Sequence, residues 1–387
     1  MGQSDLLVIG GGVIGLASAW RARQAGAEVV LLDPSPGHGA SWAAAGMLAA
    51  VTEAHFGEES LLGLNRRAAA AWPAFRHELE AVSGHDVAYR DDGTLAVAFD
   101  GGDRDALHQL YEFQQELGLG STWLEASECR DLEPLLAPAI RGGLFVPLDH
   151  HVDPRRVVGA LAQACRAAGV RLVADAVAEV TLAGERVVGA RCQGGEVIAA
   201  STTLLAAGWQ SAALPGLPAR ALPPVRPVKG QILRLRLPSG WPVPRHTVRA
   251  ISQGTSLYVV VRPDGEIVCG ATVEEMGADR RVTGGAIYSL MRDARLVLPM
   301  LLEAEFVEAT AGLRPGSPDN APMIGPGGLE GLLIATGHYR NGILLAPVTA
   351  ELIAGLMSDA SAGSVAELPG WAMAFDPRRF QQASAAV

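Results

Sequence analysis

The sequence predicts an α/β fold of two interleaved domains, and three observations carry that expectation. The chain opens on the hydrophobic run Leu6-Leu7-Val8-Ile9, which leads into Gly10-Gly11-Gly12-Val13-Ile14-Gly15 and is followed by a second run ending Leu31-Leu32-Asp33. It closes on a comparable unit, with a buried-type strand over 332–335, a turn over 336–340 and a helix over 341–356. Between these ends, alternating β patterns interrupt the glycine-rich α/β scaffold more than once. Two domains, each discontinuous in sequence, explain that order better than two consecutive ones. A chain of 387 residues also exceeds the usual single core.

The opening unit has the parts a dinucleotide needs. Gly10 allows the tight turn, Gly12 lets a pyrophosphate approach bare backbone, and Gly15 lets helix and strand pack closely. The phosphates would rest on the free N–H groups of a helix starting near Gly12, where the helix dipole favours negative charge. Asp33 follows Gly15 by 18 residues, at the end of the second strand, where a carboxylate accepts the hydroxyls of an adenosine ribose. A glycine turn serving packing alone is the plainer reading; the strand, helix and acid in their proper places favour the nucleotide. The motif serves NAD and FAD alike.

The remaining elements follow in order. Small residues dominate 39–48 and would let backbone approach a flat ligand. A helical pattern covers 61–82. Residues 86–144 mix short strands, such as 94–99, with a helix over 105–117. Asp153-Pro154 opens a helix, with Asp as N-cap and Pro in the first turn, and Gly169 closes it before a strand over 170–173. Segments 177–182, 186–193 and 196–200 form a meander, and a strand over 203–206 runs into Ala207-Gly208-Trp209. From 225 to 308 the pattern is long alternating strands, among them 231–237, 257–261 and 267–271, with one helix over 287–298. The nucleotide-binding scaffold is therefore assigned to 1–85, 146–224 and 308–370, the β-rich domain to 86–145 and 225–307, and a tail to 371–387.

Composition narrows the function. Hydrophobic content of 49% and charged content of 19% describe a globular chain. Net charge is −10 and no basic stripe is present, which argues against nucleic acid as a partner. No apolar stretch is long enough to span a membrane, and a strand starting by Leu6 leaves no room for a signal peptide. Met1-Gly2 lacks the Ser or Thr that a myristoylation motif requires, since Leu6 stands there. A cytoplasmic protein is expected. Cys129, Cys165, Cys192 and Cys269 form no C-x-x-C pair, and His150-His151 has no ligand cluster around it, so no metal is expected.

Six segments together resemble the D-amino-acid-oxidase-like family of FAD enzymes, and within it the glycine oxidase branch of thiamine biosynthesis. They are the N-terminal glycine motif with Asp33, Ala43-Ala44-Ala45-Gly46-Met47-Leu48, Ala207-Gly208-Trp209, Val228-Lys229-Gly230-Gln231, Ala311-Gly312-Leu313-Arg314-Pro315-Gly316, and Gly337-His338-Tyr339-Arg340-Asn341-Gly342-Ile343-Leu344-Leu345-Ala346-Pro347. The resemblance implies an FAD domain of the glutathione-reductase type with a sheet-rich substrate domain covering the flavin. It places the pyrophosphate near Val13 and Ile14 and the ribose on Asp33 and Pro34. Flavin contacts would fall at Ser41, Gly46, Met47 and Leu48, further cofactor contacts at Trp42 and Gly208, the adenine side near Val177, and the isoalloxazine along His338, Tyr339, Arg340, Asn341, Gly342, Ile343 and Leu344. Tyr258, Arg314 and Arg340 fall where the branch holds its substrate.

Physical chemistry gives these positions meaning. A guanidinium at Arg314 binds a carboxylate through two parallel bonds, although an arginine in a turn is the plainer reading. Tyr258 either donates a second bond or simply packs in its strand. Arg340 acts through its side chain or through its carbonyl, and His338 either tunes the flavin or is a satisfied turn histidine. The helix near Asn341 points its N–H groups where a reduced flavin gathers negative charge.

No cysteine lies in the C-terminal flavin-facing segments, where sarcosine-type relatives attach FAD covalently, so the FAD is expected to be dissociable. Arg340 stands where those relatives carry a lysine for oxygen activation. The expected reaction oxidises glycine, sarcosine or small D-amino acids to the imine, reduces O2 to H2O2, and supplies the glycine imine to a thiazole synthase. A homo-oligomer, dimer or tetramer, is expected. The rivals are an NAD dehydrogenase, a flavin enzyme acting on tRNA, and an FAD-binding subunit inactive by itself.

Overall fold

The computed structural model describes residues 3–252, 255–361 and 367–380. In chain order the elements used below are β1 (Ser4–Ile9), α1 (Val13–Gln24), β2 (Val29–Leu32), α2 (Glu59–Ser83), β3 (Thr94–Ala98), β4 (Gly142–Val146), α3 (Pro154–Ala167) and β5 (Arg171–Val173). They continue with β6 (Val177–Ala183), β7 (Arg186–Cys192), β8 (Val197–Leu205), β9 (Arg226–Arg236), β10 (Thr247–Ser252), β11 (Thr255–Val261) and β12 (Glu266–Gly270). The last are β13 (Glu305–Gly316), β14 (Met323–Pro326), β15 (Leu332–Thr336) and α4 (Gly342–Ser361).

Two eight-stranded sheets result. The first runs β14-β15-β8-β1-β2-β5, with β7 added to β8 and β6 to β7. Its centre is parallel, and both faces of β1 are covered, so the strand reads as an unbroken apolar run. Leu6 and Val8 face α1, α2, α3 and α4, whereas Leu7 and Ile9 face the meander of β6, β7 and β8. The second sheet runs β13-β9-β12-β11-β10-β3-β4 and ends on Thr122–Leu124. It is antiparallel except for the β10–β3 pair, and its core packs under the helix Gly284–Val297.

The sequence reading and the structure differ at four places. Segments 196–200 and 203–206 are one strand, β8, because its first half pairs with β7 and its second with β1 and β15. Arg314 lies within a strand and not in a turn. β13 continues through it, held by eleven residue pairings to β9 from Arg226↔Gly316 to Arg236↔Glu305. The expected boundary at 307/308 would cut β13, which lies whole in the second sheet. The tail expected at 371–387 is in part packed structure: two 3-10 turns, Gly370–Phe375 and Pro377–Phe380, bury Ala372 and Phe375 in the first core. Residues 381–387 lie outside the described residues.

Two local features position the site. Asp153 caps α3 by accepting from Arg155 N at 2.9 Å. The buried indole of Trp72 in α2 donates through Nε1 to the Leu344 carbonyl at 2.9 Å, tying α2 to the first turn of α4. Trp72→Phe loses this bond and part of the ring volume, and should cost on the order of 1–2 kcal/mol in chemical denaturation.

Candidate active site

A cavity of about 760 Å³ joins the end of β1 to the face of the second sheet. Gly10, Gly12, Val13, Ile14, Asp33, Pro34 and Val177 line one part of it, and Ser41, Gly46, Met47 and Gly208 another. His338, Tyr339, Arg340, Asn341, Gly342 and Ile343 also line it, as do Tyr258 and Arg314. Gly15, Trp42, Leu48 and Leu344 are not in the lining. Gly15 packs on the Gly10 carbonyl, which an added Cβ would overlap. Trp42 stacks on His38 with ring centroids 4.8 Å apart and carries the Arg155 guanidinium on its ring. Leu48 and Leu344 are buried in the first core.

The glycine loop does what its spacing requires. A Cβ on Gly10 would lie 2.5 Å from the Ala206 carbonyl oxygen, so the position must stay bare for β1 and β8 to converge. Gly12 is different: a Cβ there meets only Ser41 Oγ, at 3.4 Å, and otherwise projects into open space. Ser41 Oγ accepts from Val13 N at 3.1 Å at the start of α1. Asp33 has a structural task that its sequence position did not reveal. Its two oxygens accept from Gly11 N and Ser35 N, each at 2.7 Å, and brace the loop. Further lone pairs of the carboxylate remain for a ribose.

At the other end, two glycines make room for two polar side chains. Tyr258 in β11 lies opposite Gly270 in β12, and a Cβ on Gly270 would overlap the phenol. A Cβ on Gly230 in β9 would overlap the Arg314 guanidinium. Arg314 Nη1 donates to the carbonyls of Thr272 at 3.2 Å and Lys229 at 3.4 Å. No carboxylate pairs with Arg314 among the described residues.

The support behind this clamp is a polar cluster. The fully buried Lys229 ammonium pairs with Asp279 at 3.2 Å and Glu274 at 3.7 Å. Gln231 donates to Glu274 at 2.7 Å and accepts from Thr283 N at 2.8 Å. Thr272 Oγ1 donates to Glu274 at 2.5 Å. These bonds fix the backbone whose carbonyls hold Arg314. The Val228-Lys229-Gly230-Gln231 segment is thus explained by what lies on both sides of β9.

Electrostatics keep Tyr258 a donor. Burial pushes its phenol above the ordinary value, the Arg314 guanidinium works against this, and the Glu53 carboxylate adds to it. His338 is buried, bonded through Nε2 to Thr349 Oγ1 at 3.1 Å, and burial pushes its imidazole down to about 3. It is neutral at any working pH. Tyr339 takes a left-handed conformation (φ 47°), and its N–H bonds the Pro315 carbonyl at 2.9 Å, locking the turn against the end of β13. Gly342 and Ile343 then present first-turn N–H groups, which have no partner within the helix, at the cavity wall.

Sequence reading missed Glu53, which also lines the cavity. Its Oε1 meets Arg249 at 2.7 Å and its Oε2 meets Arg340 at 3.3 Å. Burial alone would raise this carboxyl, but the two guanidiniums outweigh it and hold the group below the ordinary value. Arg340 thus spends its side chain on Glu53 and on His55, whose Nε2 lies 3.0 Å away. Residues 51–55 show no pattern that announces this; the pairing spans the whole chain.

Comparison with known proteins decides the family. The family model described as DAO, FAD dependent oxidoreductase, matches residues 5–356. The chain belongs to that family. It is 34% identical over 352 residues to a bifunctional protein ThiO/ThiG of Trichormus variabilis, with 90% of this chain and 52% of that protein covered. It therefore spans about half the length of that relative. A hydrogen cyanide synthase subunit HcnC of Pseudomonas aeruginosa is 30% identical over 420 residues, covering 99% of this chain and 98% of the relative. The crystal structure of glycine oxidase from Geobacillus kaustophilus superposes with a TM-score of 0.87 at 30% identity, covering 98% and 99% of the two chains.

The residues fit FAD, the cofactor of the family. The open space at Gly12 beside the α1 N-terminus suits a pyrophosphate, Asp33 lines the cavity where its free lone pairs would suit a ribose, and the α4 N-terminus suits the flavin. Gly12→Val would fill the first of these spaces with a branched side chain. The purified variant should be colourless or FAD-poor, read as the ratio of flavin to protein absorbance; full FAD occupancy would contradict this placement.

Attachment of the flavin is open to a separate check. All four cysteines are buried and none lines the cavity. Acid precipitation of the holoprotein should release all yellow colour into the supernatant, and colour left in the pellet would show a covalent link.

Proposed function

We propose that this chain is an oxidase of glycine and other small amino acids that yields the imine and reduces O2 to H2O2. The observation that carries the reading is Arg314. A half-buried guanidinium is held by two carbonyls, faces a cavity beside a protonated phenol, and has no acidic partner among the described residues. Such a cation calls for an anion, and a carboxylate accepting two parallel bonds fits its geometry. FAD, when bound, supplies the hydride acceptor. The chain's own residues orient the substrate. Arg314 and Tyr258 fix the carboxylate, which sets where the α-carbon stands. The first-turn N–H groups of α4 stabilise the negative charge that hydride transfer creates. No acid–base side chain is required if the amine reacts in its free form.

Relatives named ThiO/ThiG favour delivery of the imine to thiazole synthesis. A second reading rests on the HcnC relative, whose name marks it as a subunit. In that case the flavin would pass its electrons to a partner and not to oxygen. Purified chain supplied with glycine, sarcosine, D-alanine or D-proline separates the two. Peroxide from the chain alone supports the oxidase; reduction of an artificial dye without peroxide supports the subunit.

The clamp can be tested by substitution. Arg314→Ala should cost about 2–5 kcal/mol of binding, much of it from leaving the anion unpaired. That is a fall of roughly 30- to several-thousand-fold in kcat/KM. Tyr258→Phe removes one donor to a charged acceptor and should cost about 1.5–3 kcal/mol at most. Both variants should retain FAD. Near-parental efficiency in flavin-replete Arg314→Ala would contradict the substrate assignment.

A further inference from the structure

Ala43-Ala44-Ala45-Gly46 lines the cavity with small residues, and three guanidiniums stand behind it. The Trp42 carbonyl accepts from Arg155 Nε at 3.2 Å, and the Ala44 carbonyl from Arg234 Nη2 at 3.5 Å. The Ala45 carbonyl accepts from Arg262 Nη2 at 2.5 Å, and Arg262 Nη1 donates to the Val152 carbonyl at 2.7 Å. These arginines come from α3, from β9 and from the residue just after β11, so both sheets and a helix converge on one short segment.

The charges do not balance. Arg155 and Arg234 share Glu308, and Arg234 also pairs with Glu266 at 2.5 Å. Arg262 is buried and has no carboxylate within ion-pair distance among the described residues. Burial pushes its guanidinium down to about 10, against the pull of Asp153; Arg234 adds to the push, and Glu266 and Asp264 oppose it. It is charged at working pH. Asp153 is occupied with capping α3, and Asp264 is half exposed. Three cations thus meet two carboxylates, and the surplus charge sits on Arg262. An apolar side chain would be cheaper to bury there, so packing alone does not account for it.

The peptide units turn this charge toward the cavity. A trans peptide points its N–H opposite to its carbonyl, so the Ala45 and Gly46 N–H groups point away from Arg234 and Arg262. Both residues are buried and line the cavity, yet neither N–H has a partner among the described residues. A buried N–H left without an acceptor is rare in a finished site. A cation on the carbonyl side strengthens the donor on the other side by polarising the peptide between them.

We propose that Arg262, with Arg234 and Arg155 beside it, is a positioning residue for the flavin. It aims the Ala45 and Gly46 N–H groups into the cavity and, through them and its own unbalanced charge, raises the reduction potential of bound FAD. This rests on FAD occupying the cavity. A flavin gathers negative charge on reduction, so a fixed cation behind polarised donors favours the reduced form. The charge is buried, and salt screens it little.

The test measures the reduction potential of FAD-loaded protein by anaerobic equilibration with a reference dye, with no substrate present. Arg262→Gln keeps a donor but removes the charge. Its equilibrium constant for flavin reduction should fall about tenfold or more, near 30 mV for a two-electron couple. Arg262→Lys keeps the charge and should stay within about threefold of the parental value. Glu308→Gln removes a carboxylate from the half-exposed side of the cluster and should shift the potential the opposite way, upward. A merely structural role predicts no such reversal of sign. Parental potential in Arg262→Gln, or a fall in Arg262→Lys as large as in Arg262→Gln, would overturn the role. Should Arg262→Gln fail to fold or to load FAD, Glu308→Gln decides: a raised potential supports the role, and an unchanged or lowered one overturns it. Parental protein that binds no FAD overturns the cofactor placement itself, whereas FAD-loaded variants with unmoved potentials overturn the arginine role alone.

Discussion

A guanidinium held at the wall of a cavity without an acid to neutralise it is the constraint on which the rest of the site depends. Arg314 can stand there only because Gly230 leaves room for it, and it keeps one orientation because the Thr272 and Lys229 carbonyls accept hydrogen bonds from it. Those carbonyls are held in turn by the Lys229–Glu274–Asp279 cluster behind β9. The long β9–β13 pairing aligns all of these parts. An unpaired cation so firmly built in is poor structural economy and good anion recognition.

The two ends of the cavity solve one problem in two ways. At the glycine-loop end the chain removes side chains, so that a bound phosphate would meet backbone N–H groups at the start of α1. At the substrate end it removes side chains at Gly230 and Gly270 so that Arg314 and Tyr258 can occupy the space instead. The α4 N-terminus lies between these ends, held by the locked turn at His338 and Tyr339 and by Trp72. The fold thus brings a strand–glycine–helix unit from the N-terminus, a turn–helix unit from the C-terminus and a β-sheet from the middle of the chain to one place.

Much of this was legible in the sequence, for physical reasons. The Gly10–Gly15 unit, Asp33 and the Asp153-Pro154 helix start are local signals, and local signals survive without tertiary knowledge. Arg314 was singled out for its chemistry, but its place inside β13 was not foreseen, because Pro315-Gly316 looks like a strand terminator while the pairing with β9 runs through it. The meander and the following strand merged for the same reason: β8 has different partners along its length. Glu53 was invisible because its meaning lies in Arg249 and Arg340, both distant in sequence. Asp33 was read as a ribose ligand alone, whereas the bonds seen in the structure are those by which its carboxylate braces the loop at Gly11 and Ser35.

The most direct measurement is a crystal structure of the FAD-loaded protein grown with acetate, which no oxidation can consume. The carboxylate is expected with both oxygens in hydrogen-bond reach of Arg314 and one of them also accepting from the Tyr258 hydroxyl, over the flavin. Acetate docked instead on Arg340, or on Arg280, which also lines the cavity, with Arg314 turned away from it, would contradict the assignment.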